Sequence, residues 1–285
     1  MPALAASNRR VRELRRLLGR RSARHDAGRF VLEGPTLIAD SLSRGFAPES
    51  VFLADDAGAD LSEVADAAAA AGSQVHRVAP GVLDGLGEVV TPRPILAVAP
   101  LVPASLEAVI ARAVERRRHV ILLDEVRDPG NLGTIMRAAE ASGAAGVVCS
   151  PGTVDPWSPK VVRSSAGAVL GVPVVLGEGT LPAVASLQRA GVPTWATVVD
   201  GGTPLDEVDP GGPVAFLLGN EAHGLEPDMI AVVGRSVTIP MEGRVESLNV
   251  AMAATILCFE AGRRHRSRTE SDWTREPPPD KVIGP

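Results

Sequence analysis

Three short segments of this 285-residue chain carry polar side chains at spacings that suit chemistry. In residues 128–139, Asp-Pro-Gly-Asn-Leu-Gly-Thr-Ile-Met-Arg-Ala-Ala, Asn131 is placed to cap a helix and Arg137 lies inside it. Leu132, Ile135, Met136 and Ala139 make the apolar stripe of that helix, and Arg137 falls off the stripe. In residues 216–225 an apolar run ends at Gly219, where a ligand can approach the backbone closely, and Asn220, Glu221, Ala222, His223 and Gly224 follow. A carboxylate and an imidazole in one tight loop permit general acid–base work. In residues 239–253 an apolar run breaks at Pro240, and a polar loop hands over through Ser247-Leu248-Asn249 to a helix with little polar face. Ser and Asn favour the position before a helix, where the first amides lack partners, and they leave side-chain donors and acceptors at its mouth. Each segment has a plain structural reading as well: a helix cap, a surface arginine, a solvated loop.

All three lie at element boundaries. Strand signals at 119–123, 145–149, 172–176, 194–198, 214–218 and 236–240 alternate with helix signals at 131–142, 160–168, 181–190 and 225–233, and a final helix runs to about Gly262. That alternation predicts an α/β fold with a parallel, helix-covered sheet, which places its ligands at the strand ends. Upstream, residues 29–100 read as a smaller α/β unit, with 101–118 as a linker helix. Residues 263–285, with Arg263-Arg264-His265-Arg266 and three consecutive prolines, read as a disordered tail.

Hydrophobic residues make up 45% of the chain, enough for real cores, while aromatics make up 3%, which argues against aromatic stacking platforms for single strands. Net charge is −5, but it is unevenly spread. Residues 1–29 hold nine arginines against Glu13 and Asp26, a balance of +7, which leaves −12 on the rest. A basic segment on an acidic body suits phosphate contact. Val11, Leu14, Leu17 and Leu18 make the same segment an amphipathic helix. Cys149 and Cys258 sit in apolar contexts with no zinc-type spacing, so free buried thiols in a cytoplasmic protein, and no metal, are expected. No run is long enough for a membrane span.

Asn-Leu-Gly-x-x-x-Arg-x-Ala, Gly-Asn-Glu-x-x-Gly-Leu and Ile-Pro-Met followed by Ser-Leu-Asn-Val, in this order at these boundaries, resemble the SpoU family, also called TrmH, of S-adenosylmethionine-dependent RNA 2′-O-ribose methyltransferases. The resemblance covers about 119–260, including the segment from Asp155-Pro156 to Gly167. More weakly, Arg29-Phe30-Val31-Leu32-Glu33-Gly34 is similar to the start of the small RNA-binding domain of ribosomal-RNA members. One departure is Ala222, where many members have Gly; it tightens the loop and draws attention to His223.

The resemblance implies a trefoil-knotted (SPOUT-type) methyltransferase domain over 119–262, a basic N-terminal helix or arm over 1–28, and a homodimer with the site shared across subunits. It implies S-adenosylmethionine held by Gly219, Ile239 and Leu248, with Thr197 and Met241 as neighbours. It makes Arg137 the central catalytic residue, Asn131 and Glu221 its orienting partners, and Ser247 and Asn249 the groups that fix the ribose or the arginine. Arginine is a poor base because its pKa lies above about 12, so Arg137 is expected to bind phosphate and lower the hydroxyl's effective pKa. Arg9, Arg10, Arg29, Lys160 and Arg163 are the expected RNA contacts. The two-domain layout favours 23S ribosomal RNA over transfer RNA. Some members from GC-rich organisms protect ribosomes from antibiotics, which leaves a resistance role open. A non-catalytic RNA-binding protein of the same fold is the other alternative. A dinucleotide-dependent oxidoreductase would need Gly-x-Gly-x-x-Gly between a strand and a helix, and no such segment occurs.

Overall fold

The computed structural model describes residues 3–86, 94–208 and 212–269. Helix α1 (Arg9–Gly19) starts on Asn8, whose side chain accepts from the Arg10 amide at 2.9 Å. Helix α2 (Arg21–Ala27) follows, then β1 (Arg29–Glu33), α3 (Pro35–Ser43), β2 (Ser50–Ala54), α4 (Ala59–Ala70), β3 (Gln74–Val78) and β4 (Ile95–Pro100). The four strands form one sheet in the order β1-β4-β2-β3, in which only β2 and β3 run parallel. Val11, Leu14, Leu17 and Leu18 of α1 are buried with Val31, Phe52, Leu96 and Val98 of that sheet. The basic segment is therefore a layer of the small domain, not an arm attached to it. Its apolar stripe is pinned to the sheet and its arginines fill the opposite face.

Helix α5 (Leu106–Arg116), capped by Ser105, buries Leu106, Val109 and Ala113 with Val120 and Leu122 of β5 (His119–Leu123). The expected linker is thus the first helix of the second domain. Next come α6 (Pro129–Ser142), β6 (Gly146–Cys149), α7 (Pro159–Ser164), β7 (Val174–Leu176), α8 (Thr180–Arg189), β8 (Thr194–Thr197), β9 (Thr203–Pro204), β10 (Val214–Leu218), α9 (Pro227–Val233), β11 (Ser236–Thr238) and α10 (Val250–Thr269). All seven strands run parallel in the order β7-β6-β5-β10-β8-β11-β9. Helices α5, α8 and α9 cover one face, while α6, α7 and α10 pack against the other. Cys149 and Cys258 are both buried, and burial pushes each thiol up to about 12. No helix among the described residues is long and apolar enough to cross a membrane.

Three boundaries differ from expectation. The helix expected over 160–168 stops at Ser164, because Ala166 and Gly167 take positive φ values of 46° and 86°. Strand β11 ends at Thr238, two residues before Pro240, which has no N–H to donate. Helix α10 continues past Gly262 to Thr269. Arg264 explains this last extension. Its guanidinium donates to the Val208 carbonyl and to those of Leu205 (3.0 Å) and Asp206 (2.8 Å), and it pairs with Glu260 at 2.6 Å. Residues 270–285 of the expected tail lie outside the described residues.

The two domains are tied by charge. Arg24 and Asp155, both buried, meet at 2.6 Å; Arg163 pairs with Glu33, and Arg44 with Glu140.

Candidate functional site

The C-terminal ends of β8, β10 and β11 and the mouth of α10 enclose a cavity of about 480 Å³, within the range of small-molecule sites. Every expected cofactor residue lines it: Thr197, Gly219, Ile239, Met241 and Leu248. So do Asn131, Glu221, Ser247 and Asn249. Among the described lining residues Glu221 is the only carboxylate, and neither Lys nor Arg is present. Thr197 Oγ1 is buried without a hydrogen-bond partner among the described residues. A buried hydroxyl left unmatched at a cavity wall is the kind of group a bound molecule satisfies.

A chain of hydrogen bonds fixes the polar rim. Asn249 accepts through Oδ1 from the Ala251 amide at 2.8 Å, capping α10, and its Nδ2 donates to Asn131 Oδ1 at 3.0 Å. Asn131 Nδ2 donates to Glu221 Oε1 at 3.1 Å. The Glu221 carboxylate also accepts from the amides of Asp128 (3.0 Å) and Arg127 (3.2 Å). Burial alone would raise the Glu221 pKa. The donors, led by Asn131, outweigh it and hold the group below the usual carboxylate range. Through these bonds Glu221 braces the loop before α6.

Several expectations need correction. Asn131 does not cap α6: Asp128 does, accepting from the Asn131 amide at 2.8 Å, with Pro129 in the first helical position. The side chain of Asn131 is thereby released to join Glu221 and Asn249. Gly219 is glycine because its own chain folds back on it, since a Cβ there would collide with the carbonyl of Gly224. Arg137 does not reach the cavity. It lies nearly two turns beyond Asn131, on a face of α6 that stays exposed together with Thr134. Within one chain Glu221 and Asn131 bond to each other. Of the expected RNA contacts, Arg29 is held between Glu13 (3.2 Å) and Glu49 (2.7 Å), and Arg163 is held by Glu33. Arg9, Arg10 and Lys160 are exposed.

The sequence reading missed Asn220. Its Nδ2 donates to the Glu125 carbonyl at 2.8 Å and its Oδ1 accepts from Ala222 at 2.8 Å, so it closes its own loop and grips the loop before α6. An Asn directly after a strand-ending glycine was the available signal. His223 lines the cavity from the same loop.

Comparison with known proteins matches residues 118–259 to the SpoU rRNA Methylase family and 8–97 to an MRM3-like substrate binding domain. The chain is 30% identical to the 23S rRNA (guanosine(2553)-2′-O)-methyltransferase of Bacillus subtilis, over 90% of this chain and 96% of that one. It is also 30% identical to the 23S rRNA (uridine(2479)-2′-O)-methyltransferase of Streptomyces viridochromogenes, over 93% of each. Among solved structures, the AdoMet-bound rRNA methyltransferase of Sinorhizobium meliloti superposes with a TM-score of 0.79 at 30% identity, covering 92% of this chain and 97% of that one. The AdoMet complex of the SpoU methyltransferase AviRb from Streptomyces viridochromogenes gives 0.77 at 29% identity, covering 91% and 99%.

Proposed function

The chain belongs to the SpoU rRNA methylase family, and on that premise we propose that it transfers a methyl group from S-adenosylmethionine to a ribose 2′-hydroxyl of 23S ribosomal RNA. The observation that carries this reading is the cavity at the strand ends, where the expected cofactor residues meet the Asn249–Asn131–Glu221 chain. When bound, the cofactor supplies an electrophilic methyl on a sulfonium. A cavity whose described lining residues include one carboxylate and no Lys or Arg, with a Thr197 hydroxyl unmatched among the described residues, suits a ligand of that charge.

The residues of this chain would act as follows. Thr197, Gly219, Ile239, Met241 and Leu248 form the wall that holds the cofactor. The braced amides Asn131 and Asn249 and the hydroxyl of Ser247 line the mouth, where they orient the ribose. Holding two reactants in line supplies much of the rate in a displacement of this kind. The Arg137 guanidinium would contact the phosphate beside the reacting hydroxyl, easing loss of its proton.

Arg137 is outside the cavity of its own chain, so the reading includes a homodimer in which the arginine serves a shared site. Met252, Ile256 and Phe259 support this: they recur at helical spacing on α10 and remain 61%, 39% and 46% exposed. The reading also includes the family's knot. Its support is the strand order, in which β10 inserts between β5 and β8, and β11 between β8 and β9. RNA would enter along a cleft of about 500 Å³ between the domains, lined by Arg15 and Lys160 and bordered by Pro129 at the start of α6.

Calorimetry with S-adenosylmethionine, paired with single-turnover methylation of 23S rRNA, tests the reading. Wild type is expected to bind and transfer, and Arg137→Ala to bind with unchanged affinity but to lose transfer by at least about a hundredfold. Absence of cofactor binding in wild type would instead favour a non-catalytic RNA-binding protein.

A further inference from the structure

Methyl transfer to a ribose hydroxyl releases a proton, and most groups around the cavity cannot take it. Amides and hydroxyls do not hold an extra proton near neutral pH, and the guanidinium of Arg137 carries donors and no acceptor. Among the described lining residues two side chains exchange protons in the ordinary range, Glu221 and His223. The oxygens of Glu221 are engaged already, by Asn131 Nδ2 and by the amides of Asp128 and Arg127. Burial pulls the Glu221 pKa up, but these donors outweigh it and hold the group below the carboxylate range. That leaves the imidazole.

His223 sits two residues beyond Glu221 in a loop held from several sides. Asn220 and Gly224 pair across it: the Asn220 N–H donates to the Gly224 carbonyl at 3.1 Å, and the Gly224 N–H donates to the Asn220 carbonyl at 2.9 Å. Gly224 takes φ 68°, which lets the chain reverse between them. The Asn220 side chain is tied to the Glu125 carbonyl, and Glu221 is tied to the start of α6. A braced backbone therefore carries the imidazole at the wall of the cavity, which it shares with Asn131, Ser247 and Asn249. His223 is also exposed, so a proton it takes up can pass on to water.

We propose that His223 is the general base that receives the proton of the ribose 2′-hydroxyl. It rests on the RNA-methyltransferase reading. One ring nitrogen of His223 takes the hydroxyl proton, and the O–H electron pair stays on the oxygen. That oxygen forms the new bond to the methyl carbon, and the pair of the broken S–CH3 bond returns to sulfur, leaving a neutral thioether. Positive charge thus moves from sulfur to imidazole within one cavity, so the Glu221 carboxylate keeps a cationic neighbour throughout. Imidazole is the side chain best suited to such traffic near neutrality. Arg137 eases loss of the proton, and His223 gives it a destination.

The test uses the full chain, S-adenosylmethionine and unmodified 23S rRNA transcribed in vitro. His223→Ala is expected to lower the single-turnover rate, at saturating cofactor and RNA, by about a hundredfold. Added imidazole should restore much of that loss, because it supplies the missing base in the vacated space. His223→Gln keeps hydrogen-bonding groups but no base, so it should stay slow and gain nothing from imidazole. Tm and the calorimetric cofactor affinity should be unchanged in both variants. A readout without turnover is the ring signal of His223, one of five histidines, assigned in 13C-histidine-labelled protein by its loss in His223→Gln. With S-adenosylhomocysteine bound, it should shift on adding an RNA fragment that the enzyme methylates, and shift less with the same fragment lacking the target 2′-hydroxyl. A full rate in His223→Ala, or the same shift with both fragments, would overturn the proposal. So would a slow variant that imidazole does not restore, which together with weakened cofactor binding would make His223 a cofactor contact instead. If wild type fails to methylate, the functional reading fails and the proposal with it, a result distinct from an active enzyme indifferent to His223.

Discussion

Asn249 serves two partners with one amide, so its replacement should show in two measurements. Asn249→Ala removes the cap of α10 and the bond to Asn131. Loss of such a cap costs about 1 kcal/mol, and a urea titration should report that loss. Single-turnover methylation should fall further than stability alone explains, because Asn131 is then free to leave Glu221. Asn249→Asp keeps the cap but abolishes the donor, so it should restore stability and not activity. Glu221 acts through its charge on a loop. Its pKa is depressed in the folded chain, so its contribution is present above the unfolded carboxylate range and fades as pH falls through the folded value. Glu221→Gln should flatten that acid limb of stability, loosen the start of α6 and weaken binding of the cationic cofactor.

At the scale of elements, α6 is the part on which the site depends. Gly133 lets it lie against α7, since a Cβ there would collide with Ser164. Gly133→Ala should cost about 1–3 kcal/mol, the usual penalty of overpacking, and lower Tm by several degrees. The other end of α6 carries a pH dependence. Ser142 Oγ donates to the Ala138 carbonyl at 2.7 Å, so it has only lone pairs left for His119, 3.1 Å away, and the imidazole donates from Nε2. Burial, and secondarily Arg118 and His265, lower the His119 pKa from 6.5 to about 4. The unfolded chain takes up this proton below about pH 6.5 and the folded chain does not until about 4, so stability falls as pH drops across that window. The loss amounts to roughly 3 kcal/mol, and His119→Gln should abolish that share in thermal melts from pH 7 to 4. The elements themselves were legible because each has its own period and punctuation. The cap of α6 was misread although Asp-Pro, a capping residue ahead of a proline at the first helical position, stood in the sequence. The extension of α10 could not be read locally: it depends on Arg264 meeting carbonyls more than fifty residues away.

For the whole molecule, the relation between domains rests on pairs distant in sequence, such as Arg24 with Asp155 and Glu33 with Arg163. No local pattern announces them. Arg29 and Arg163 looked like phosphate contacts because their carboxylate partners are invisible in a linear reading. The motifs succeeded for the opposite reason: each sits at a strand end, and a parallel sheet gathers strand ends into one place. Arg137 was legible as a residue but not in position, since its own chain leaves it outside the cavity. Asp155→Asn would strand Arg24 in a buried site at a cost of about 3–5 kcal/mol. It should raise KM for RNA, loosen the domains in small-angle scattering, and leave cofactor affinity intact. The activity itself is tested most directly by mapping ribose methylation. Primer extension at limiting nucleotide, on 23S rRNA incubated with S-adenosylmethionine and either wild type or Arg137→Ala, should give one new stop with wild type and none with the variant. No new stop with wild type, or the same stop with Arg137→Ala, would contradict the proposed function or the role given to Arg137, respectively.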